Sequence, residues 1–177
     1  MAINIKEKSF VSDSSSLILL AKAGLLCLLC ENARLFITQT IEAEIRFDSI
    51  DSRLIKGLIT EGTIMVKKIK ENDLPVSLHK GERSAIILFK MLNADYLLID
   101  DKKAALYCKR NAIPYVNALL IPHYLRMCRI IDAQMMKRKI LLLSEIGHYA
   151  AWITEYVSED QHAFDIFQNL STNKLPS

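Results

Sequence analysis

Apolar and polar positions change rhythm many times along this chain, and the changes outline strands alternating with helices. Val11 and Ser12 close a short apolar segment, after which Ser14, Ser15 and Ser16 offer caps to the run Leu17-Ile-Leu-Leu-Ala-Lys-Ala. Gly24 interrupts that run, so the spacing predicts two successive helices, over roughly 15–22 and 25–31. Leu35-Phe-Ile-Thr38 predicts a second strand. Thr40 is then expected to cap a helix whose stripe is Ile41 and Ile45, with another helix over roughly 52–60. Thr63-Ile-Met-Val-Lys67, bounded by Gly62 and an Asn72-Asp-Leu-Pro75 loop, predicts a third strand.

From Lys80 onward the rhythm is clearest. Ala85, Ile86, Phe89 and Leu92 form one helical face, Tyr96 to Ile99 is a buried strand, and Lys102 to Arg110 is a helix ended by Asn111. Pro114-Tyr-Val116 predicts a short fifth strand. Beyond about Leu119 the pattern is helical, with Ile146, Ala150, Ile153 and Val157 along one amphipathic stretch. Alternation of this kind implies an α/β fold with a parallel sheet of about five strands covered on both faces, followed by a helical extension.

Length and composition narrow the class. At 177 residues the chain suits one cored domain, and 51% hydrophobic with 24% charged residues excludes disorder as its main state. The longest apolar stretch, Leu17 to Cys30, carries Lys22 and falls short of the roughly 20 residues needed to span a bilayer. Asp13 and the serines before it are also wrong for a secretory signal. No membrane association and a cytoplasmic location are therefore expected. Cys27-Leu-Leu-Cys30 has the spacing of a metal or redox pair, but lies in an apolar helical run with no second pair to complete a tetrahedral site. Cys27, Cys30, Cys108 and Cys128 read as plain buried thiols.

Net charge is +3, and its distribution matters more than its size. Basic residues gather at Lys67-Lys68-Ile-Lys70, at Lys102-Lys103 with Lys109-Arg110, and at Arg126, Arg129 and Lys137-Arg138-Lys139. The second group begins directly after Asp101, where a polyanion near acidic residues needs cations against its phosphates.

Asp13, Glu44, Glu82 and the pair Asp100-Asp101 all fall where strands hand over to helices. In an open parallel sheet ligands bind beyond the carboxyl ends of the strands, so Asp13 and Asp100 belong to one crevice. Glu82 precedes Ala85 and Phe89 by three and seven residues, which sets it on the buried face of its helix at the first turn. Each acid alone also reads as a cap, a turn residue or a favourable charge on a helix dipole. Together, converging carboxylates repel unless a cation holds them.

Val11-Ser-Asp-Ser-Ser-Ser-Leu-Ile, Thr40-x-x-x-Glu44, Gly81-Glu-x-x-Ala85-Ile and Leu97-Leu-Ile-Asp-Asp-Lys-Lys-Ala, in that order, resemble the successive motifs of PIN domains, most closely those related to VapC-type toxins. The resemblance covers roughly residues 8–120. It implies a three-layer α/β/α domain over 1–125, with a helical extension over 126–177 packed on it. It implies a Mg²⁺- or Mn²⁺-dependent endoribonuclease of the toxin-antitoxin type. Asp13, Glu44, Glu82 and Asp100 would be its catalytic acids, and Asp13, Glu82, Asp100 and Asp101 its metal ligands. Ser15, Lys102 and Lys103 would meet the RNA substrate. An antitoxin protein and a homodimeric state are implied as partners. The chain departs from similar proteins near Gln39-Thr40, Ala104-Ala105 and Asn117-Ala118, and the last two departures feed the competing reading of an inactive PIN-like module that binds RNA or protein. His79, His123, His148 and His162 fall in no common motif, and no phosphate loop or Ser-His-Asp order is present. A receiver domain would need an acidic pair after the first strand, which is the reverse of the disposition here.

Overall fold

In the computed structural model, which describes residues 8–46, 48–70, 78–159, 163 and 165–167, the alternating pattern becomes a four-stranded parallel sheet flanked by helices. Its strands are β1 (Ser9–Ser12), β2 (Arg34–Thr38), β3 (Ile64–Lys67) and β4 (Tyr96–Leu98). They lie in the order β3-β2-β1-β4, and every pairing is parallel. Phe10, Val11, Leu35, Ile37, Leu97 and Leu98 are fully buried, the near-continuous burial that a sheet covered on both faces requires.

Parallel neighbours cannot be joined by a tight turn, so helices supply the crossovers. These are α1 (Ser14–Lys22) and α2 (Leu26–Asn32) before β2, α3 (Gln39–Glu44) and α4 (Ile50–Thr60) before β3, and α5 (Lys80–Leu92) before β4. Gly24, at φ 65°, makes the left-handed turn between α1 and α2 that a side chain would resist. Helix α5 carries the chain from one edge of the sheet to the other and packs Ala85, Ile86, Leu88 and Phe89 across β1, β2 and β4. After β4 come α6 (Lys102–Arg110), a 3-10 turn (Ala118–Leu120), α7 (Ile121–Met127), α8 (Ala133–Ile146) and α9 (Ala151–Ser158).

Three expectations are corrected. The fifth strand shrinks to a single bridge between Val116 and Leu98, so the sheet has four strands. Pro114 has no N–H to give a ladder, and the chain passes straight from Asn117 into the 3-10 turn. The third helix is capped by Thr38, the last residue of β2, and not by Thr40; the Thr38 hydroxyl accepts from the Ile41 N–H at 3.2 Å. The stretch containing Ile146 and Val157 is broken: α8 ends at Ile146, His148 adopts φ 51°, and α9 begins at Ala151. The Asn72–Pro75 loop and His162 lie outside the described residues.

The C-terminal helices join the same core. Phe167 is fully buried and meets Tyr96 edge-on at 5.2 Å, while Phe10, Tyr96 and Tyr124 pack ring against ring. Lys139 on α8 reaches the Ala23 carbonyl at 2.5 Å, setting a cation at the negative end of α1. A ring nitrogen of buried His123 lies 2.6 Å from the Val157 carbonyl, linking α7 to α9.

Candidate active site

The strand order places a topological switch beside β1. From β1 the chain goes to β2 on one side, and β4 sits on the other, so a crevice opens beyond their carboxyl ends. Asp13 follows β1 directly, and Asp100 lies two residues past the end of β4. One Asp13 oxygen accepts from the Ser16 N–H at 2.8 Å, capping α1, and the other from the Asp100 N–H at 3.3 Å. The Ser16 hydroxyl in turn donates to Asp100 at 2.6 Å, and the Ala118 N–H lies 3.1–3.2 Å from both Asp100 oxygens. The Tyr149 hydroxyl, from the turn between α8 and α9, donates to Asp100 Oδ1.

This pair is electrostatically tense. Burial, reinforced by the Asp100 charge, pushes the Asp13 carboxyl up to about 7. Burial also raises Asp100, against the opposing hydrogen bonds from Ser16, Tyr149 and Ala118. Repulsion between acids is thus present, but burial is the larger cause.

A second group lies on α3 and α5. Glu82, buried in the first turn of α5, accepts from the His79 N–H at 2.9 Å, which makes His79 the cap of this helix. Burial raises the Glu82 carboxyl, with contributions from the Asp101 and Glu44 charges. Glu44, the exposed last residue of α3, rests its carboxylate against Gly81 and accepts from the Ser14 hydroxyl at 2.7 Å. Buried Thr38 fixes α5 over this edge through Ser84, hydroxyl to hydroxyl at 2.6 Å. Asp101 caps α6, its Oδ1 accepting from the Lys103 and Ala104 N–H groups at 2.7 and 3.0 Å.

The acids expected to converge thus stand as two groups, Asp13 with Asp100 and Glu44 with Glu82, and the serines that meet them lie one position to either side of Ser15. Ser15 is exposed, whereas Ser14 and Ser16 are the serines whose hydroxyls touch the acids. Helical geometry distinguishes them only once the start of α1 is known. Lys102 and Lys103 are exposed on the first turn of α6. Tyr149 carried no signal, because the pattern around it read as unbroken helix. All four thiols are free, but only Cys108 is buried as expected, while Cys27, Cys30 and Cys128 are partly exposed; burial pushes Cys30 and Cys108 up to about 12.

Among the described residues no three Asp, Glu, His or Cys side chains close around one ion-sized point, so the acids form no all-protein cage. The donor chemistry still fits a hard dication that keeps most of its water. Every candidate ligand is oxygen, Asp13 is driven toward neutrality, and Asn117 Oδ1 is a buried acceptor with no hydrogen-bond partner, next to the Ala118 N–H that holds Asp100.

A parallel sheet with this order and acids at its carboxyl edge defines a PIN-type α/β domain. The chain belongs to that family: the family model DUF3368, a PIN domain, matches residues 9–160, a span that includes α7, α8 and α9. PIN domains are generally nucleases that use divalent metal ions. No curated protein and no solved structure matches the chain. Among the described residues no single helix is long and apolar enough to cross a membrane.

Proposed function

We propose that this chain is a metal-dependent endoribonuclease of the toxin-antitoxin type, hydrolysing RNA phosphodiester bonds in the cytoplasm. The observation that carries the reading is the Asp13–Asp100 pair at the switch point, hydrogen-bonded through Ser16 and raised by burial. Asp13 and Asp100 would hold Mg²⁺ or Mn²⁺, with Glu82 and Asp101 completing its surroundings. Glu44, tethered by Ser14, orients the attacking water. A dication bound there supplies a lowered pKa for that water and neutralises charge building up at phosphorus. Lys102 and Lys103, which directly follow Asp101, meet the RNA backbone together with the exposed Ser15. An antitoxin protein and a second copy of the chain are the expected partners.

The test is cleavage of a broad RNA set with and without Mn²⁺, by wild type and by Asp13→Asn. Metal-dependent cleavage lost in Asp13→Asn, with RNA binding retained, supports the enzyme. The engagement of Asp100 by Tyr149 favours the second reading, a PIN module that binds without cleaving. RNA binding by wild type with no cleavage across the set establishes that reading instead.

A further inference from the structure

Three donors crowd Asp100, and they engage both of its carboxylate oxygens. An ionised carboxylate offers about four lone-pair sites. Oδ2 takes the Ser16 hydroxyl at 2.6 Å, Oδ1 takes the Tyr149 hydroxyl, and the single Ala118 N–H is shared between the two oxygens at 3.1 and 3.2 Å. Direct ligation by Asp100 therefore competes with these donors.

Two of the three donors are anchored. Ser16 is buried in the first turn of α1 and pinned by Asp13 through its N–H. Ala118 opens a 3-10 turn whose residues are all buried. Tyr149 is different, because it is half-buried on the Gly147-His148-Tyr149-Ala150 link, outside either helix. The link is shaped to deliver it. His148 sits at φ 51°, and a Cβ on Gly147 would intrude on the Tyr149 ring and on the Leu143 carbonyl.

We propose that Tyr149 is a tethered gate on the acidic site: its hydroxyl holds the Asp100 position that a divalent cation needs, and it withdraws when the cation binds. The C-terminal helices would then set the cation affinity of an edge built by the sheet. This rests on the metal-site reading above, so the test has a metal-free arm. Full-length wild type, Tyr149→Phe, Gly147→Ala and Asp13→Asn are compared by thermal melting without metal, by melting at saturating Mn²⁺, and by calorimetric titration with Mn²⁺.

Tyr149→Phe should melt below wild type without metal, and the gap should close at saturating Mn²⁺. It should bind Mn²⁺ about tenfold more tightly, roughly the worth of one hydrogen bond to a charged group. Gly147→Ala, which keeps the hydroxyl but crowds the ring off its seat, should shift Mn²⁺ affinity the same way. Equal or weaker Mn²⁺ binding by Tyr149→Phe, with binding abolished in Asp13→Asn, would overturn the gate and leave the metal site standing. Absence of Mn²⁺ binding in every protein would overturn both.

Discussion

Two aspartates at opposite ends of the same pair of strands pull stability in opposite directions. Asp95, just before β4, is salt-bridged to Lys8 at 2.9 Å and accepts from the Ser9 N–H and hydroxyl, so its carboxyl lies below the usual range despite its burial. Its contribution is present above the unfolded pKa and is lost as pH falls through the lowered folded value. Asp13 has the reverse sign. With a folded value of about 7, it favours folding below the ordinary 3.8 and loses that contribution as pH rises toward neutrality. Without metal, Asp13→Asn should therefore melt above wild type at pH 8 and match it near pH 4. Asp95→Asn should cost about 1–3 kcal/mol at neutral pH, fading in acid. Melting curves across pH check both, and a lower melt for Asp13→Asn at pH 8 would contradict the assignment. Asp13 was legible from its place after an apolar segment. Its partner serines were not, since Ser14, Ser15 and Ser16 differ only in which way the first turn of α1 points them.

At the scale of elements, the ordinary and the functional readings of the acids turn out to describe the same residues. Asp13, Asp101 and Glu82 each hold an N-terminal helical turn while standing at the carboxyl edge of the sheet. Asp101 separates the two roles cleanly. Asp101→Asn keeps a good cap and removes the charge, while Asp101→Ala removes both and should cost about 1 kcal/mol of stability. If Asp101 contributes charge to the site, both substitutions lower cleavage. If it only caps α6, Asp101→Asn retains activity and Asp101→Ala differs from it in stability alone. Period and punctuation located the four strands and the crossover helices, because buried parallel strands and amphipathic helices leave strong local marks. They missed the break after α8. Ile146, Ala150, Ile153 and Val157 keep helical spacing across a turn that is set by Gly147, His148 and contact with Asp100, a residue 49 positions away. The expected fifth strand does not form for a related reason: its β-branched Val116 pairs once, then the chain leaves the sheet.

At the scale of the molecule, the helices after α7 share the core of the sheet. Phe167→Ala should therefore cost about 3–5 kcal/mol and shift a single cooperative transition. A separate early transition, leaving the sheet unfolding at its original temperature, would show that the extension is an independent unit. The basic surface belongs to this scale too. Lys102→Ala with Lys103→Ala should weaken RNA binding and reduce its salt dependence by up to about two phosphate contacts, measured as the slope of log affinity against log salt. An unchanged slope would move the RNA path elsewhere, toward the Lys137-Arg138-Lys139 run on α8.

The pairing of β1 with β4 also sets a clock during synthesis. Asp13 emerges from the ribosome early and can cap α1 through Ser16 at once, but the N–H that holds its second oxygen belongs to Asp100, 87 residues later. At roughly 5–20 residues per second, the first acid waits about 4–17 s for the second. Tyr149 arrives later still. Any cleavage of RNA by the nascent chain would thus wait until Asp100 has been made.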